Sequence, residues 1–347
     1  MLTTIIDRVD TVTIADYPNL LFVRVHDRDG RVGLGETFYG GGTVETWVHE
    51  TAVPVLVGAD SRRIEGLGRA MTGYVGRHCT GAESRGVSAI DLALWDLAGQ
   101  RTGRPVYELL GGPVHDRLRV YNTCAGYRYV RSLSRQHSEN WGTGDGRADG
   151  PYEDLEAAEQ RPAELARSLL SEGVSAMKIW PFDRYAERTG GREISAADLD
   201  RAVEPVRQIA DAVGDEMEVL VEMHGLWDVY PAGKIIAALE PLGVFWVEDP
   251  ISSDNLSGLA ALAAGSTLRL AIGENVAGLS RFRQLCDSGA AGVVIIDPCW
   301  SGGITAARKV AALAESYGIA IAPHDCTGPV SFAATIHFSQ STANTLI

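Results

Sequence analysis

The chain has 347 residues, room for one large domain or two ordinary ones, and a formal net charge of -14. That charge excludes a nucleic-acid binder, because no basic patch is large enough to offset it, yet it admits an anionic small substrate held beside a bound cation and a few lysines. Five cysteines without close pairing, no apolar leader and no apolar run of membrane-spanning length read as a soluble cytoplasmic protein with reduced thiols and no membrane partner.

Residues 2–38 alternate in three short stretches (TIIDRVDTVTI, LLFVRVHD and RVGLGE), and Asp29-Gly30 supplies turn chemistry between the last two. They predict three antiparallel strands. Helical periodicity follows at 43–54 and 84–101, the second stopped by Gly103. An antiparallel sheet continued by helices predicts an N-terminal α+β domain over residues 1–117. From 118 to 347 the rhythm is strand, loop, helix. Strands are predicted at 118–123, 174–179, 217–222, 244–248, 268–272, 292–296 and 319–322. Helices are predicted at about 157–171, 197–212, 231–239, 254–264, 278–287, 303–317 and 329–338.

Short apolar strands alternating with amphipathic helices imply parallel pairing. Their number predicts a modified (β/α)8-type (TIM) barrel over a doubly wound sheet, and no glycine-rich nucleotide fingerprint follows an early strand. Residues 341–347 open the eighth strand, which a barrel needs for closure, and the sequence stops there. The polar, Gly-rich stretch 131–156 breaks the rhythm. It is expected to be a lid or an ordered excursion near the site, with Asp145, Asp149, Glu153, Asp154 and Glu156 on a solvated face.

The chemistry gathers at strand ends. Glu222, Glu248 and Glu274 follow apolar runs at equal intervals of 26 residues, the length of one strand–helix unit. Singly, each reads as a strand-end charge or a turn cap. Together they predict three carboxylates at one barrel mouth, where only a positive charge between them relieves their repulsion; a hard divalent cation such as Mg2+ fits best.

His224 lies two residues past Glu222 and shares its side of the strand. His324 follows the strand GIAIA, and Asp297, ending the preceding strand, is its candidate orienter. A carboxylate that accepts one ring N–H fixes the tautomer and raises the basicity of the other nitrogen, as a general base requires. Lys178 ends the second barrel strand, where an ammonium is costly without a partner, so it is expected to bind a substrate carboxylate or tune a neighbour. Trp180, on the same side, walls the pocket. His26, His49, His115, His137 and His337 read as surface or satisfied core residues, and His78 stays undecided.

The pattern resembles the enolase superfamily, in its mandelate racemase and muconate lactonizing branch, and within it the acid-sugar dehydratases of the galactonate dehydratase type. The resemblance rests on ETFYGG at 36–41, SAIDLALWDLAGQRTGRPVYELLGG at 88–112, VEMHG at 221–225, VEDP at 247–250, IGEN at 272–275, IIDPCWSGGIT at 295–305 and APHDCTGP at 322–329. It implies a capping domain over the barrel and Mg2+ held by Glu222, Glu248 and Glu274. A His or Lys base beside Mg2+ is this superfamily's general scheme rather than a deduction from this chain. On that scheme His324, paired with Asp297, removes the proton α to a sugar-acid carboxylate, and His224 protonates the departing 3-hydroxyl. Substrate contacts are expected from Lys178, Trp180, His224 and, in the capping loop Phe38–Gly42, Tyr39. The resemblance also implies a symmetric homo-oligomer.

Three departures from the family pattern carry consequences. The first metal ligand is Glu222 where this branch usually has Asp. Lys178-Ile179-Trp180 lacks the second lysine of a Lys-x-Lys motif, which disfavours two-base racemisation through that lysine and leaves dehydration with one base and a separate acid. No eighth-strand glutamate precedes Ile347, so the chain reads either as part of a longer one or as an impaired site. The alternatives to dehydration are C2 epimerisation between His324 and His224, and a catalytically impaired metal-binding homologue.

Overall fold

The computed structural model describes residues 4–72, 81–126 and 153–347. His78, His137 and most of the 131–156 stretch, with its Asp145 and Asp149, lie outside the described residues.

The three N-terminal strands form an antiparallel sheet in the order β1 (Ile6–Ile14), β2 (Tyr17–Asp27), β3 (Val32–Phe38). Strand alternation sends Leu21, Val23 and Val25 of β2 into one apolar core. The helix expected at 43–54 runs as α1 (Gly41–Trp47), a π-helical turn (Val48–Ala52) and α2 (Val53–Leu56). Then come α3 (Ile64–Met71), α4 (Ala82–Thr102), which Gly103 ends at φ 64°, and α5 (Val106–Leu109). α4 lies against β3 so closely that glycine is required at the crossing. A Cβ on Gly35 would stand 1.8 Å from the Ala89 carbonyl oxygen, and one on Gly33 2.0 Å from that of Ala93.

The second unit alternates helices and strands: α6 (Asp154–Gln160), α7 (Pro162–Ser171), β4 (Ala176–Ile179), α8 (Asp183–Thr189), α9 (Ala196–Val213), β5 (Glu218–Glu222), α10 (Val229–Leu239), β6 (Trp246–Glu248), α11 (Leu256–Ala264), β7 (Leu270–Ile272), α12 (Leu279–Asp287), β8 (Val293–Ile296), α13 (Gly303–Ser316), β9 (Ala320–Pro323) and α14 (Pro329–Gln340). β4 to β9 pair in parallel, each with its neighbour in sequence. The predicted strand 118–123 contributes a single parallel bridge, Asn122 to Met177. At the other edge Thr345 bridges Ile321, so the final residues start alongside β9 as expected. The fold is a modified (β/α)8 barrel carrying an N-terminal α+β cap.

Two helical expectations change. The helix at 157–171 breaks at Arg161, because the residue before a proline is pushed out of helical geometry, and Pro162 starts α7. α8 was not foreseen: DRYAERT is short, polar and weakly periodic, and Gly190 stops it at φ 62°.

α4 joins cap to barrel. Ser88 accepts the Gly302 N–H at 2.8 Å, Asp91 accepts the Thr305 N–H at 3.1 Å, and Trp95 donates its ring N–H to the Thr305 hydroxyl at 2.9 Å. Glu36, at the end of β3, accepts the Val330 and Ser331 N–H groups at 2.9 and 2.8 Å and so holds the start of α14.

Inside the barrel one apolar layer is built from Ala176, Leu220, Trp246, Ala271, Val293, Ile295, Ala322 and Ile347. Side chains two residues further along a strand face the same interior. Counting two from Ala176, Leu220, Trp246, Ile295 and Ala322 reaches Lys178, Glu222, Glu248, Asp297 and His324. Strand periodicity alone therefore stacks the ionisable groups in one layer above the apolar floor.

Candidate active site

β5 and β6 pair with Glu222 directly opposite Glu248. Glu274 lies beyond β7, after Gly273 at φ 137°, where a Cβ would meet the Ile295 carbonyl oxygen at 2.4 Å. The turn lets Glu274 join the other two: one carboxylate oxygen from each of the three lies within 4.8 Å of the others, and all three residues are buried.

Each carboxylate has one oxygen tied down and the other turned to a side-chain nitrogen, the Lys178 ammonium for Glu222 and Glu248 and the His324 ring for Glu274. Glu222 Oε1 accepts the N–H groups of Met223 (3.0 Å) and His224 (2.7 Å), while Oε2 receives Lys178 Nζ at 2.9 Å. Glu248 Oε2 accepts Trp246 Nε1–H at 3.0 Å, while Oε1 receives Lys178 Nζ at 2.7 Å. Glu274 Oε1 accepts from Asn275 at 3.0 Å, while Oε2 lies 3.2 Å from His324 Nε2. Such a hard, all-oxygen, anionic donor set suits Mg2+, and the fit rests on this geometry.

The electrostatics are those of an anionic cluster short of positive charge. Burial opposes ionisation of Glu222, but Lys178 and His224 outweigh it and hold the carboxyl well below the usual range. Burial and then Glu222 push Glu248 up to about 8. Burial and then Glu274 raise Asp249, also packed here, well above a normal carboxyl. Lys178 is only 2% exposed; burial disfavours its charge, but Glu222 and Glu248 hold the ammonium firmly protonated.

His324 donates Nδ1–H to Asp297 Oδ2 at 2.8 Å, and Asp297 Oδ1 accepts the Cys299 N–H at 2.6 Å. The orienting carboxylate is therefore itself oriented. The ring packs on Trp300 at 4.9 Å between centroids, and the guanidinium of Arg85, from α4, covers that indole at 4.3 Å. Burial lowers the basicity of His324, but Glu274 and its other neighbours raise it well above that of a free imidazole.

His224 sits in the left-handed region at φ 47°, a conformation that side chains other than glycine adopt at a cost. That turn aims its N–H at Glu222. Its ring Nδ1 lies 2.8 Å from Oδ2 of Asp183, and the ring stands nearly perpendicular to that of Trp180 at 5.1 Å between centroids. Burial works against the charge of His224, but Asp183 and then Glu222 push its pKa up to about 10.

These groups open onto a cavity of about 400 Å³, the size of a small-molecule site. Lys178, Trp180, His224, Glu274 and His324 line it, with Thr123, Asn275, Trp300, Cys326 and residues of α8. Tyr39 is not among the lining residues. It stands at φ 70° after β3 with its ring centroid 6.2 Å from that of Phe38. Sequence reasoning missed Asp183, Thr123, Trp300 and the α8 wall. The available signal for Asp183 was a lone acidic residue three places after Trp180.

Comparison with known proteins agrees with this geometry. Residues 8–111 match the family described as mandelate racemase / muconate lactonizing enzyme, N-terminal domain, and residues 161–347 match the enolase C-terminal domain-like family. A D-galactonate dehydratase of Ralstonia nicotianae is 33% identical over 328 residues, covering 92% of this chain and 75% of that protein. A D-gluconate dehydratase of Thermoproteus tenax is 32% identical over 256 residues, covering 74% of this chain and 45% of that protein. Among solved structures, an enolase of the mandelate racemase subgroup from Agrobacterium tumefaciens superposes with a TM-score of 0.86 at 42% identity, covering 99% of this chain and 84% of that one.

Proposed function

Because the chain belongs to the mandelate racemase/muconate lactonizing enzyme branch of the enolase superfamily, we propose that it is a Mg2+-dependent hydro-lyase that dehydrates a sugar acid, an aldonate or aldarate, to its 2-keto-3-deoxy product. One observation carries the reading: the buried carboxylate trio has one histidine–aspartate pair against Glu274 and a second beside Glu222.

Glu222, Glu248 and Glu274 would hold the metal, which would supply positive charge where negative charge builds up on the substrate carboxylate. Asp297 keeps a proton on Nδ1 of His324, so Nε2 is the nitrogen that takes the α-proton. Lys178 contributes a buried ammonium to the substrate carboxylate, and Trp180 walls the cavity beside it. His224, held through Nδ1 by Asp183, gives its proton to the 3-hydroxyl as the C–O bond breaks. One C–H and one C–O bond are lost, a C=C bond forms, water leaves, and the enol tautomerises to the 2-keto acid.

The same reading places the boundary between cap and barrel near residue 117. It takes the enzyme to work as a homo-oligomer, on family grounds, in the cytoplasm, which the buried free thiols of Cys124, Cys286 and Cys299 support. Among the described residues no helix is long and apolar enough to cross a membrane.

Incubation of the purified protein with Mg2+ and a panel of aldonic and aldaric acids, followed by a 2-keto-acid assay, tests the proposal. Turnover is expected with at least one acid. His324→Asn should retain the metal and lose α-proton exchange by about 10²-fold or more. Two histidines at one cavity also suit C2 epimerisation, for which solvent deuterium would enter recovered substrate without keto product. Metal binding with no exchange at all would reject both reactions.

A further inference from the structure

We propose that Asp183 is the positioning residue of the acid half-reaction: it holds the His224 ring so that Nε2 serves the cavity, and it is dispensable for the base half-reaction at His324. The proposal rests on the dehydration reading above. Asp183 is buried, and its Oδ2 meets His224 Nδ1 at 2.8 Å. A carboxylate only accepts, so the shared proton sits on Nδ1 and the far nitrogen, Nε2, is left to act on a molecule in the cavity that His224 lines.

Asp183 opens α8, where an acidic residue is commonplace for helix reasons alone. Here it makes no capping bond to the helix backbone, and its second oxygen, Oδ1, is buried without a hydrogen-bond partner among the described residues. A polar group buried in that way is costly. The side chain is turned from its own helix to the histidine 41 positions away.

Trp180 supports the same ring from a second direction at 5.1 Å, edge against face. The backbone of His224 is held separately, through its N–H to Glu222. Ring and backbone thus have different anchors. The arrangement repeats the aspartate–histidine pairing at His324 with parts from unrelated elements: Asp183 comes from the β4–α9 connection and Asp297 from the end of β8.

The test separates the two half-reactions with the 347-residue protein, Mg2+ and a sugar acid that the wild type dehydrates. Keto-acid formation reports both halves together, and α-proton exchange in D2O reports the base alone. Asp183→Asn should lower kcat for dehydration about 10²-fold, with KM changed less than about threefold and exchange retained. Asp183→Glu should recover part of the loss.

Unchanged dehydration in Asp183→Asn overturns the proposal, as does an equal fall of dehydration and exchange, which marks a purely structural residue. A measurement on the wild type needs no variant to fold: ¹⁵N-histidine spectra should show a hydrogen-bonded proton on His224 Nδ1, and a bare Nδ1 overturns the assignment. A wild type that exchanges the α-proton yet forms no keto acid from any substrate removes the dehydration reading itself, and the acid role with it.

Discussion

Lys178 bridges two of the three clustered carboxylates. Its ammonium touches Glu222 at 2.9 Å and Glu248 at 2.7 Å with almost no access to water. Removing one member of a buried ion pair typically costs about 3–5 kcal/mol, because the remaining charges stay desolvated without a partner. Lys178→Met should therefore destabilise the metal-free protein by about that much in urea unfolding. Saturating Mg2+ binds the same carboxylates in the native state only, and should return a large part of the loss; 100 times Kd corresponds to about 2.7 kcal/mol. If Mg2+ protects wild type and variant equally, Lys178 and the metal do not share those oxygens.

At the scale of elements, the contact between β3 and α4 sets where the cap stands over the barrel. Helix and strand meet backbone to backbone because Gly33 and Gly35 present no side chain. Gly35→Ala would drive a methyl to 1.8 Å from the Ala89 carbonyl oxygen, so strand and helix must part. A loss of about 1–3 kcal/mol or more is expected from overpacking of this kind, read as a lower urea midpoint at unchanged m-value. The same helix bears Ser88, Asp91 and Trp95 against the loop after β8 and the start of α13, and Arg85 against Trp300. A shift of α4 should therefore also slow turnover, since Trp300 backs His324.

For the whole molecule, the seam between cap and barrel buries an acid. Burial pushes Asp91 up to about 7 from an ordinary 3.8, against the lowering effect of its hydrogen bonds from Thr305. An acid whose pKa rises on folding binds its proton more tightly in the native state than in the unfolded chain. Its contribution is fully present below about 3.8 and is lost as pH climbs through about 7, with a slope of up to ~1.4 kcal/mol per pH unit. Asp91→Asn keeps a carbonyl for the Thr305 N–H and removes the titration. The variant should show a flatter profile of unfolding midpoint between about pH 4 and pH 7. Parallel profiles for the two proteins would place the pH sensitivity elsewhere.

Periodicity made much of this molecule legible before any coordinates. Apolar runs ending in Glu222, Glu248 and Glu274 at one constant spacing place three carboxylates at one mouth, because a parallel strand–helix repeat returns the chain to the same rim each time. Alternation along β8 and β9 likewise brings Asp297 to His324. What local pattern cannot carry is distance between elements that share no periodicity. Asp183 looks like any acidic residue opening a short polar helix, and only the packing of α8 brings it to His224. Tyr39, read as a substrate contact from its place in a capping loop, is not among the described residues that line the cavity. A strand's face follows from where its side chains point. Which groups meet across faces depends on how cap, helices and barrel fill the space between them.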